Sequence, residues 1–412
     1  MPEISTEARA EIAHLVDHAG VRAACAWFRT HGSQLFDWQV ELAKIPAPPF
    51  GESARGEWLK ARFNELGLED SHIDAVGNVR GIHAGRGNNF VLVSAHIDTV
   101  FPNGTPLDIR ERGSRLYGPG VSDNGAGVTA LLAMAGVLQS AQISHDLPIL
   151  FVGNVGEEGE GDLRGMRHIF SESPLNNSIA YCLVLDGAGS DTIVCEALGS
   201  RRFEVTVRGP GGHSWSDFGA PNPISILARA IHELMQIVLP SSPKATINVG
   251  VIQGGTSVNS IPESACMRVD VRSSSKAEIE RLEEAVRNSV SLAVEEELRH
   301  FGKRSPGEKH VPGLTFEISV IGERPAAELD PNARILHVIR AVDAELGNIA
   351  NIQRASTDAN IPLSLGKEAI ALGGGGSGGA AHTLREWFDC EGRESGLKRI
   401  LLTLLALTGI SE

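Results

Sequence analysis

The chain has 412 residues, of which 42% are hydrophobic and 21% are charged, and its formal net charge is -14 at pH 7. This length exceeds that of one typical hydrophobic core and predicts two domains. Because the charge balance is acidic and no basic run occurs, nucleic acid and anionic membrane surfaces are disfavoured as partners.

Cysteine usage and the N-terminal sequence indicate the cellular compartment. None of the scattered cysteines forms a Cys-x-x-Cys pair, which argues against a disulfide framework and a thiolate zinc site. They are Cys25, Cys182, Cys195, Cys266 and Cys390. The N-terminus lacks the basic and apolar segments of a signal peptide, and no apolar run approaches the ~20 residues that span a bilayer. We therefore expect a cytoplasmic protein.

The apolar run at residues 90–93 predicts a buried strand, and two polar side chains follow it closely. Residues two apart on a strand lie on the same side, so His96 and Asp98 should point the same way. Open α/β sheets bind their ligands at the carboxyl ends of the strands. We therefore expect both side chains to belong to a functional site at this edge.

The same pattern of an apolar segment followed by polar residues recurs along the first half of the chain. A glycine-rich turn containing Asp123 precedes an apolar helix at 128–138. Predicted buried strands then end in Glu157-Glu158 and in Asp186; they cover residues 148–155 and 179–185. This alternation predicts an α/β fold with a mostly parallel sheet and helices on both faces.

Near residue 199 the rhythm changes to strands with period-two alternation, which is typical of half-buried antiparallel strands. These strands are predicted at 202–207, 246–252, 265–271 and 314–320, with helices at 223–239 and 276–299. The α/β pattern then resumes with a helix at 333–346, a strand at 369–372, a glycine run, His382 and a closing helix. We predict a smaller α+β domain, 199–322, inserted into a catalytic domain formed by 1–198 and 323–412.

The polar residues at strand ends and glycine turns include a set of metal-ligand type. The set is His96, Asp123, Glu158, Asp186 and His382. Histidine and carboxylate ligands without thiolate suit zinc, or a related ion such as cobalt or manganese. Two ions about 3.5–4 Å apart need a bridging carboxylate, a role that fits Asp123. His96 and Asp186 would then hold one ion, and Glu158 and His382 the other.

Two further carboxylates and a glycine run complete the predicted site. Glu157 can act as general base on a metal-bound water, whose pKa the metal lowers from ~15.7 towards ~7. Asp98 can accept the second imidazole N–H of His96 and fix its tautomer. The run at 373–379 could cradle a phosphate, but no Gly-Lys-Ser/Thr follows it. A substrate-carrying loop beside a metal ligand fits better, with Gly375 as a substrate-binding residue.

The order His-x-Asp, Asp, Glu-Glu, Asp, His resembles that of the dinuclear zinc peptidases related to peptidase T, carnosine dipeptidase, carboxypeptidase G and aminoacylase. The likeness runs from about residue 40 to the end of the chain. It implies a catalytic domain interrupted by a lid domain that usually dimerises, hence a homodimer. Residues 209–214 and 254–262 look like the two lid motifs. By this resemblance His213 would help to polarise the scissile carbonyl, commonly by reaching into the site of the partner subunit, and Asn259 would contact the substrate.

The chain also departs from the family pattern in ways that bear on function. Asp123 is followed by Asn124, where many members have a lysine, and the peptide after this aspartate is often cis in the family. Asp186 stands where other members have glutamate. By the resemblance, aspartate at this position favours the aminopeptidase and dipeptidase branch. Arg354 lies where members place substrate-contacting residues, so it could pair with a substrate carboxylate, or equally be a surface arginine.

These residues favour a zinc-dependent hydrolase that cleaves an amide bond in short peptides, with metal-bound hydroxide as nucleophile and Glu157 as general base. A second hypothesis keeps the site but changes the substrate to an N-acyl amino acid, a carbamoyl compound or an aryl amine lost by deamination. A third is a metal-stabilised binding or dimerisation protein without catalysis. Glu157 argues against the third, because a purely structural metal site gains nothing from a carboxylate that is not a ligand.

Overall fold

The computed structural model describes residues 4–171, 175–304 and 313–410. The chain divides into two units, one formed by Met1–Ala197 and Glu328–Glu412 and the other by Leu198–Ala327. Among the described residues, no helix combines the length and the apolar character needed to cross a membrane.

The helices are α1 Thr6–Asp17, α2 Ala19–Thr30, α3 Gly32–Ala43, α4 Ser53–Glu65, α5 Gly125–Ala141, α6 Arg164–Ser171, α7 Leu175–Ser178, α8 Pro223–Met235, α9 Lys276–Arg304, α10 Arg334–Leu346, α11 Asn360–Ser364 and α12 Arg393–Thr408. The strands are β1 Glu69–Ile73, β2 Val79–His83, β3 Phe90–His96, β4 Arg110–Arg112, β5 Arg115–Tyr117, β6 Ile149–Asn154, β7 Ile179–Leu185, β8 Thr192–Ala197, β9 Gly199–Arg208, β10 Gly212–His213, β11 Ala245–Gly254, β12 Ser260–Ile261, β13 Ser264–Ser273, β14 Thr315–Arg324, β15 Ala327–Glu328, β16 Asn351–Ala355, β17 Glu368–Leu372, β18 Ser377–Gly379 and β19 Trp387–Asp389.

The first unit is built on a large mixed sheet with the strand order β1-β2-β6-β3-β7-β17-β8-β15, and β16 pairs with β8. The central strands β6, β3, β7 and β17 are parallel. Every residue of β6 is buried, so both faces of the sheet are covered, as expected for a continuous apolar run. This architecture confirms the predicted α/β class with a mostly parallel sheet.

A small antiparallel sheet with the order β18-β19-β5-β4 joins two distant parts of the first unit. It pairs the segment before α5 with the segment on either side of His382. Phe388 on β19 is fully buried and packs with Leu116 and Val121 in one apolar cluster. The loop that carries His382 is thereby anchored to the loop that carries Asp123.

The second unit is a four-stranded antiparallel sheet, in the order β11-β13-β9-β14, with α8 and α9 packed against it. Alternate residues Phe203, Val205 and Val207 of β9 are fully buried in the core between sheet and helices. From the sequence, the chain was expected to leave this unit after residue 322. In the structure β14 continues to Arg324, which lies opposite Ser200, because its pairing with β9 persists beyond an irregularity at residues 320–322.

His83, at the end of β2, forms a pair with the buried His145 in the first unit. The Nδ1 atom of His145 lies 2.7 Å from the carbonyl oxygen of Leu147, and its Nε2 atom lies 2.8 Å from Nδ1 of His83. In the neutral pair His145 donates to Leu147 and accepts from His83. Burial, and then the charge of His145, lower the pKa of His83 to about 4, and burial lowers the pKa of His145.

We expect this pair to make the free energy of unfolding fall as the pH decreases from 6.5 to about 4. In that range the unfolded chain protonates its histidines while the folded pair resists protonation, so stability is lost on acidification. The contribution of His83 is about 1–2 kcal/mol once its partial exposure is allowed for. Thermal unfolding of wild type and His83→Asn across this range measures it. The control is His14→Asn, at an exposed site on α1; an unchanged pH slope in the His83 variant would contradict the assignment.

Candidate active site

The ends of β3 and β7 and the turn before α5 bring the first predicted ligand set together. Nε2 of His96 lies 3.2 Å from Oδ1 of Asp123 and 3.6 Å from Oδ1 of Asp186. The three ligand atoms lie within 4.8 Å of one another. His96 is buried, with 1% of its side chain exposed, whereas the side chains of Asp123 and Asp186 are 18% and 22% exposed. The two carboxylates therefore open the cluster towards solvent.

The second set shares Asp123 with the first. Nε2 of His382 lies 3.0 Å from Oδ2 of Asp123 and 2.9 Å from Oε1 of Glu158. These three residues again offer ligand atoms within 4.8 Å of one another. The two oxygens of one carboxylate thus face two different imidazoles, which is the arrangement a bridging ligand needs.

Charges inside the two sets show that the donors suit a cation. Burial opposes protonation of His96, but its interactions with the carboxylates of Asp123, Asp186 and Asp98 raise its pKa well above the ordinary value. Hydrogen bonds to Asp123 and Glu158 raise the pKa of His382 to about 10. Without a metal ion, protons on the imidazoles balance the carboxylates. A divalent ion would replace these protons, since metal-bound imidazole is neutral, so metal binding and proton release are coupled.

Glu157 lies beside these sets on the turn after β6. One of its carboxylate oxygens is within 4.8 Å of a ring nitrogen of His96 and of an oxygen of Glu158. The residue is only 5% exposed. Its carboxylate is therefore close enough to accept a proton from a water molecule held between the ligand sets.

Asp98 has a different principal contact from the one predicted. The nearest oxygen to Nδ1 of His96 is the main-chain carbonyl of Asp98, at 3.2 Å, whereas its carboxylate Oδ1 is 3.6 Å away. The carboxylate instead accepts the backbone N–H groups of Glu157 and Glu158, at 3.0 and 2.8 Å. Asp98 thus orients the imidazole mainly through its backbone and fixes the Glu157-Glu158 turn through its side chain.

Asn124 ties the bridging aspartate to the neighbouring strand end. The Asp123–Asn124 peptide is cis. The side-chain oxygen of Asn124 accepts the N–H groups of Gly127 and Gly187, at 3.0 and 2.9 Å, and its amide donates to Leu185 at 2.9 Å. A Cβ on Gly127 would lie only 2.1 Å from that oxygen, so only glycine fits there. The turn carrying Asp123 is thereby fixed to the turn carrying Asp186.

The two predicted lid residues lie together in the second unit. His213 on β10 pairs with Ser260 on β12, and the N–H of Ser214 donates to the main-chain oxygen of Asn259 at 3.0 Å. Nδ1 of His213 accepts the backbone N–H of Trp215 at 3.2 Å. Their roles in catalysis, and dimerisation through this unit, stay predictions.

The other two predicted substrate contacts have partners within the chain. The guanidinium of Arg354, on β16, forms an ion pair with Glu196 on β8. Gly375 is buried, and its N–H and C=O both bond to Gly189, at 3.0 and 3.3 Å. A Cβ on Gly375 would lie 2.6 Å from the oxygen of Arg393. The structure therefore shows a packing role for Gly375, and its contact with a substrate stays a prediction.

Two buried carboxylates near the site are not indicated by the sequence patterns. Glu386 accepts three backbone N–H groups from the turn that carries Asp123. Asp358 is fully buried, and its Oδ2 accepts the side-chain amide of Asn154 at 2.6 Å. Burial raises the pKa of each carboxyl to about 7. Neither follows an apolar strand directly, so the pattern that identified the metal-type residues could not select them.

Two histidine–carboxylate sets around a shared aspartate, at one edge of a parallel sheet, suit a metal-dependent hydrolase. The family model described as Peptidase family M20/M25/M40 matches residues 92–406. The chain belongs to this family and is therefore an enzyme of the M20 metallopeptidases, which confirms the resemblance noted in the sequence.

Individual relatives extend this assignment. A protein of Ajellomyces dermatitidis (strain ER-3 / ATCC MYA-2586) named probable carboxypeptidase is 29% identical over an alignment of 320 residues that covers 70% of this chain and 72% of that protein. The structure of aminopeptidase PepT from Bacillus cereus ATCC 10987 superposes with a TM-score of 0.70 at 19% identity, over 92% of this chain and 99% of that one. The Bacillus subtilis YXEP protein, described as a dinuclear metal-binding peptidase of the M20 family, gives 0.64 at 17% identity, over 92% and 100%. The two structural likenesses establish the fold.

Proposed function

We propose that this enzyme hydrolyses an amide bond of short peptides at a centre of two divalent ions, with zinc as the native metal. The observation that carries the proposal is the Asp123 carboxylate, whose two oxygens lie 3.2 and 3.0 Å from the Nε2 atoms of His96 and His382. Asp186 and Glu158 would complete the two ligand sets. The description of YXEP as a dinuclear metal-binding peptidase supports two ions.

Glu157 is the proposed general base. When bound, the ions would polarise the substrate carbonyl and lower the pKa of water. Glu157 accepts the proton of the attacking water and returns it to the amine that leaves, so that one carboxylate serves both proton transfers. Asp98 holds the backbone N–H groups of Glu157 and Glu158, which keeps the base and its neighbouring ligand in a fixed turn.

His213 and Asn259 are the proposed groups that bind the substrate carbonyl and backbone. Because Nδ1 of His213 accepts the N–H of Trp215, the neutral ring carries its proton on Nε2, which can donate to a developing oxyanion. The side-chain oxygen of Asn259 accepts the hydroxyl of Ser257 at 2.5 Å. The amide N–H groups of Asn259 are therefore oriented away from that bond and can donate to a substrate.

Dipeptides or other short peptides with a free amino terminus are the proposed substrates. The reason is that aspartate at position 186 resembles the aminopeptidase and dipeptidase branch of the family. One observation favours a second candidate, since the relative at 29% identity is named a probable carboxypeptidase. A carboxypeptidase would recognise the free C-terminal carboxylate of its substrate and would accept a substrate whose amine is acylated.

A matched substrate panel tests the proposal. The zinc-loaded protein is assayed with a dipeptide, its N-acetyl derivative, its C-terminal amide and an N-acyl amino acid. We expect hydrolysis of the dipeptide, loss of activity with a chelator and recovery with Zn²⁺. Acetylation of the amine should stop hydrolysis. If the N-acetyl dipeptide is still hydrolysed but the C-terminal amide is not, the carboxypeptidase candidate is the correct one. If the metal-loaded protein hydrolyses none of the four, the proposed function is wrong.

A further inference from the structure

Glu386 is a buried carboxylate that holds the main chain of the bridging turn. It is fully buried. Its Oε1 accepts the backbone N–H groups of Ser122 and Asp123, each at 2.7 Å, and its Oε2 accepts that of Gly120 at 2.9 Å. One of these donors belongs to Asp123 itself. The side chain thus holds the main chain of the turn that carries Asp123.

The same residue is tied to the segment that carries His382. Glu386 is four residues beyond His382, and its own N–H donates to the carbonyl of Thr383 at 3.1 Å. Its carbonyl oxygen accepts the N–H of Gly118 at 2.9 Å. Main-chain and side-chain bonds of one residue therefore connect the His382 segment to both ends of the turn at 118–123.

A buried arginine interacts electrostatically with this carboxylate. Arg55 is fully enclosed, and its guanidinium donates to the carbonyls of Ile45 and Ile97, at 2.8 and 2.9 Å. The charges of Asp98 and Glu386 both act on it. The positive charge of Arg55 thus acts on the two carboxylates that hold the backbone of the ligand turns.

We infer that Glu386 is a positioning residue that fixes Asp123 relative to His382 and so determines how tightly the ion of the Asp123–Glu158–His382 set is held. This inference rests on the proposed two-ion centre. The ion of the other set also uses Asp123, but its histidine lies on the buried central strand β3. Loss of Glu386 should therefore weaken one ion far more than the other.

The test is a titration of the metal-free full-length protein with Co²⁺, followed by visible absorption and by metal analysis, for wild type, Glu386→Gln and Glu386→Ala. We expect wild type to bind two ions. In Glu386→Ala the affinity for the ion of the Asp123–Glu158–His382 set should fall about 10–100-fold, as is usual when a residue that orients a metal ligand is lost. The affinity for the other ion should change little. Glu386→Gln should lie between them, because an amide oxygen can still accept the N–H groups of Ser122 and Asp123. In both variants kcat should fall with KM nearly unchanged.

Asp389→Asn is the matched control. Asp389 is a carboxylate of the same small sheet, but its partner is Arg115, at 2.7 Å, so two ions should bind to this variant as they do to wild type. If Glu386→Gln, checked for folding by thermal unfolding, binds both ions with wild-type affinities, the inference is wrong. It is also wrong if Asp389→Asn weakens the same ion equally, which would indicate a general effect of the sheet. Wild type that binds only one ion would overturn the two-ion centre itself.

Discussion

Replacement of Glu157 by glutamine is expected to lower kcat by about 10²–10⁴-fold, the usual contribution of a general base. Glutamine has nearly the same size and keeps the backbone N–H that donates to Asp98, but it cannot accept a proton from water. Because Glu157 is assigned no metal, both ions should remain bound. Steady-state kinetics on the best peptide of the panel and metal analysis of the same sample measure the two effects together.

Glu160→Gln is the control for this experiment, because Glu160 is an exposed acid three residues further along the same segment. Its kcat should stay near that of wild type. The assignment of Glu157 fails if Glu157→Gln retains most of its activity. Loss of one ion from Glu157→Gln would have a different meaning: Glu157 would then be a ligand, in the group it forms with His96 and Glu158.

Substitution of Asp123 by alanine is expected to have the largest effect on metal binding. Its carboxylate is the only ligand shared by the two described sets, so its loss removes one donor from each ion and lets the two cations repel without a bridging anion. The affinity for both ions should fall by more than about 100-fold, which exceeds the effect expected from loss of a residue that only orients a metal ligand. Activity should fall with occupancy. Equilibrium dialysis against Zn²⁺, with metal analysis, provides the measurement.

Two comparisons give this result its meaning. Asp186→Ala removes a ligand of one set only, so one ion should remain bound near wild-type affinity. Asp191→Ala removes an exposed carboxylate five residues later and should leave both ions in place. If Asp123→Ala still binds two ions tightly, Asp123 does not bridge. If Asp186→Ala loses both ions, the sets are not separable as the geometry indicates.

Local sequence patterns were sufficient for the strands and for the residues at their ends. The run at residues 90–93 is apolar without interruption, which is what a strand covered on both faces requires. Parallel strands place their carboxyl ends at one edge, so the metal-type residues at or just beyond the ends of β3, β6 and β7 could be expected to meet there. The change to period-two alternation near residue 199 likewise indicated where a differently built segment begins, because burial of one face imposes that period.

Only the tertiary structure could reveal which groups hold these residues in place. Glu386 meets Gly120 from 266 residues away along the chain, and the carboxylate of Asp98 meets Glu158 from 60 residues away. No local period encodes such contacts, since they depend on how separate loops close over the sheet. For the same reason the sequence could not show that Gly375 is fully engaged with Gly189. The sequence determined which side chains reach the sheet edge; the packing of distant loops decided what fixes them there.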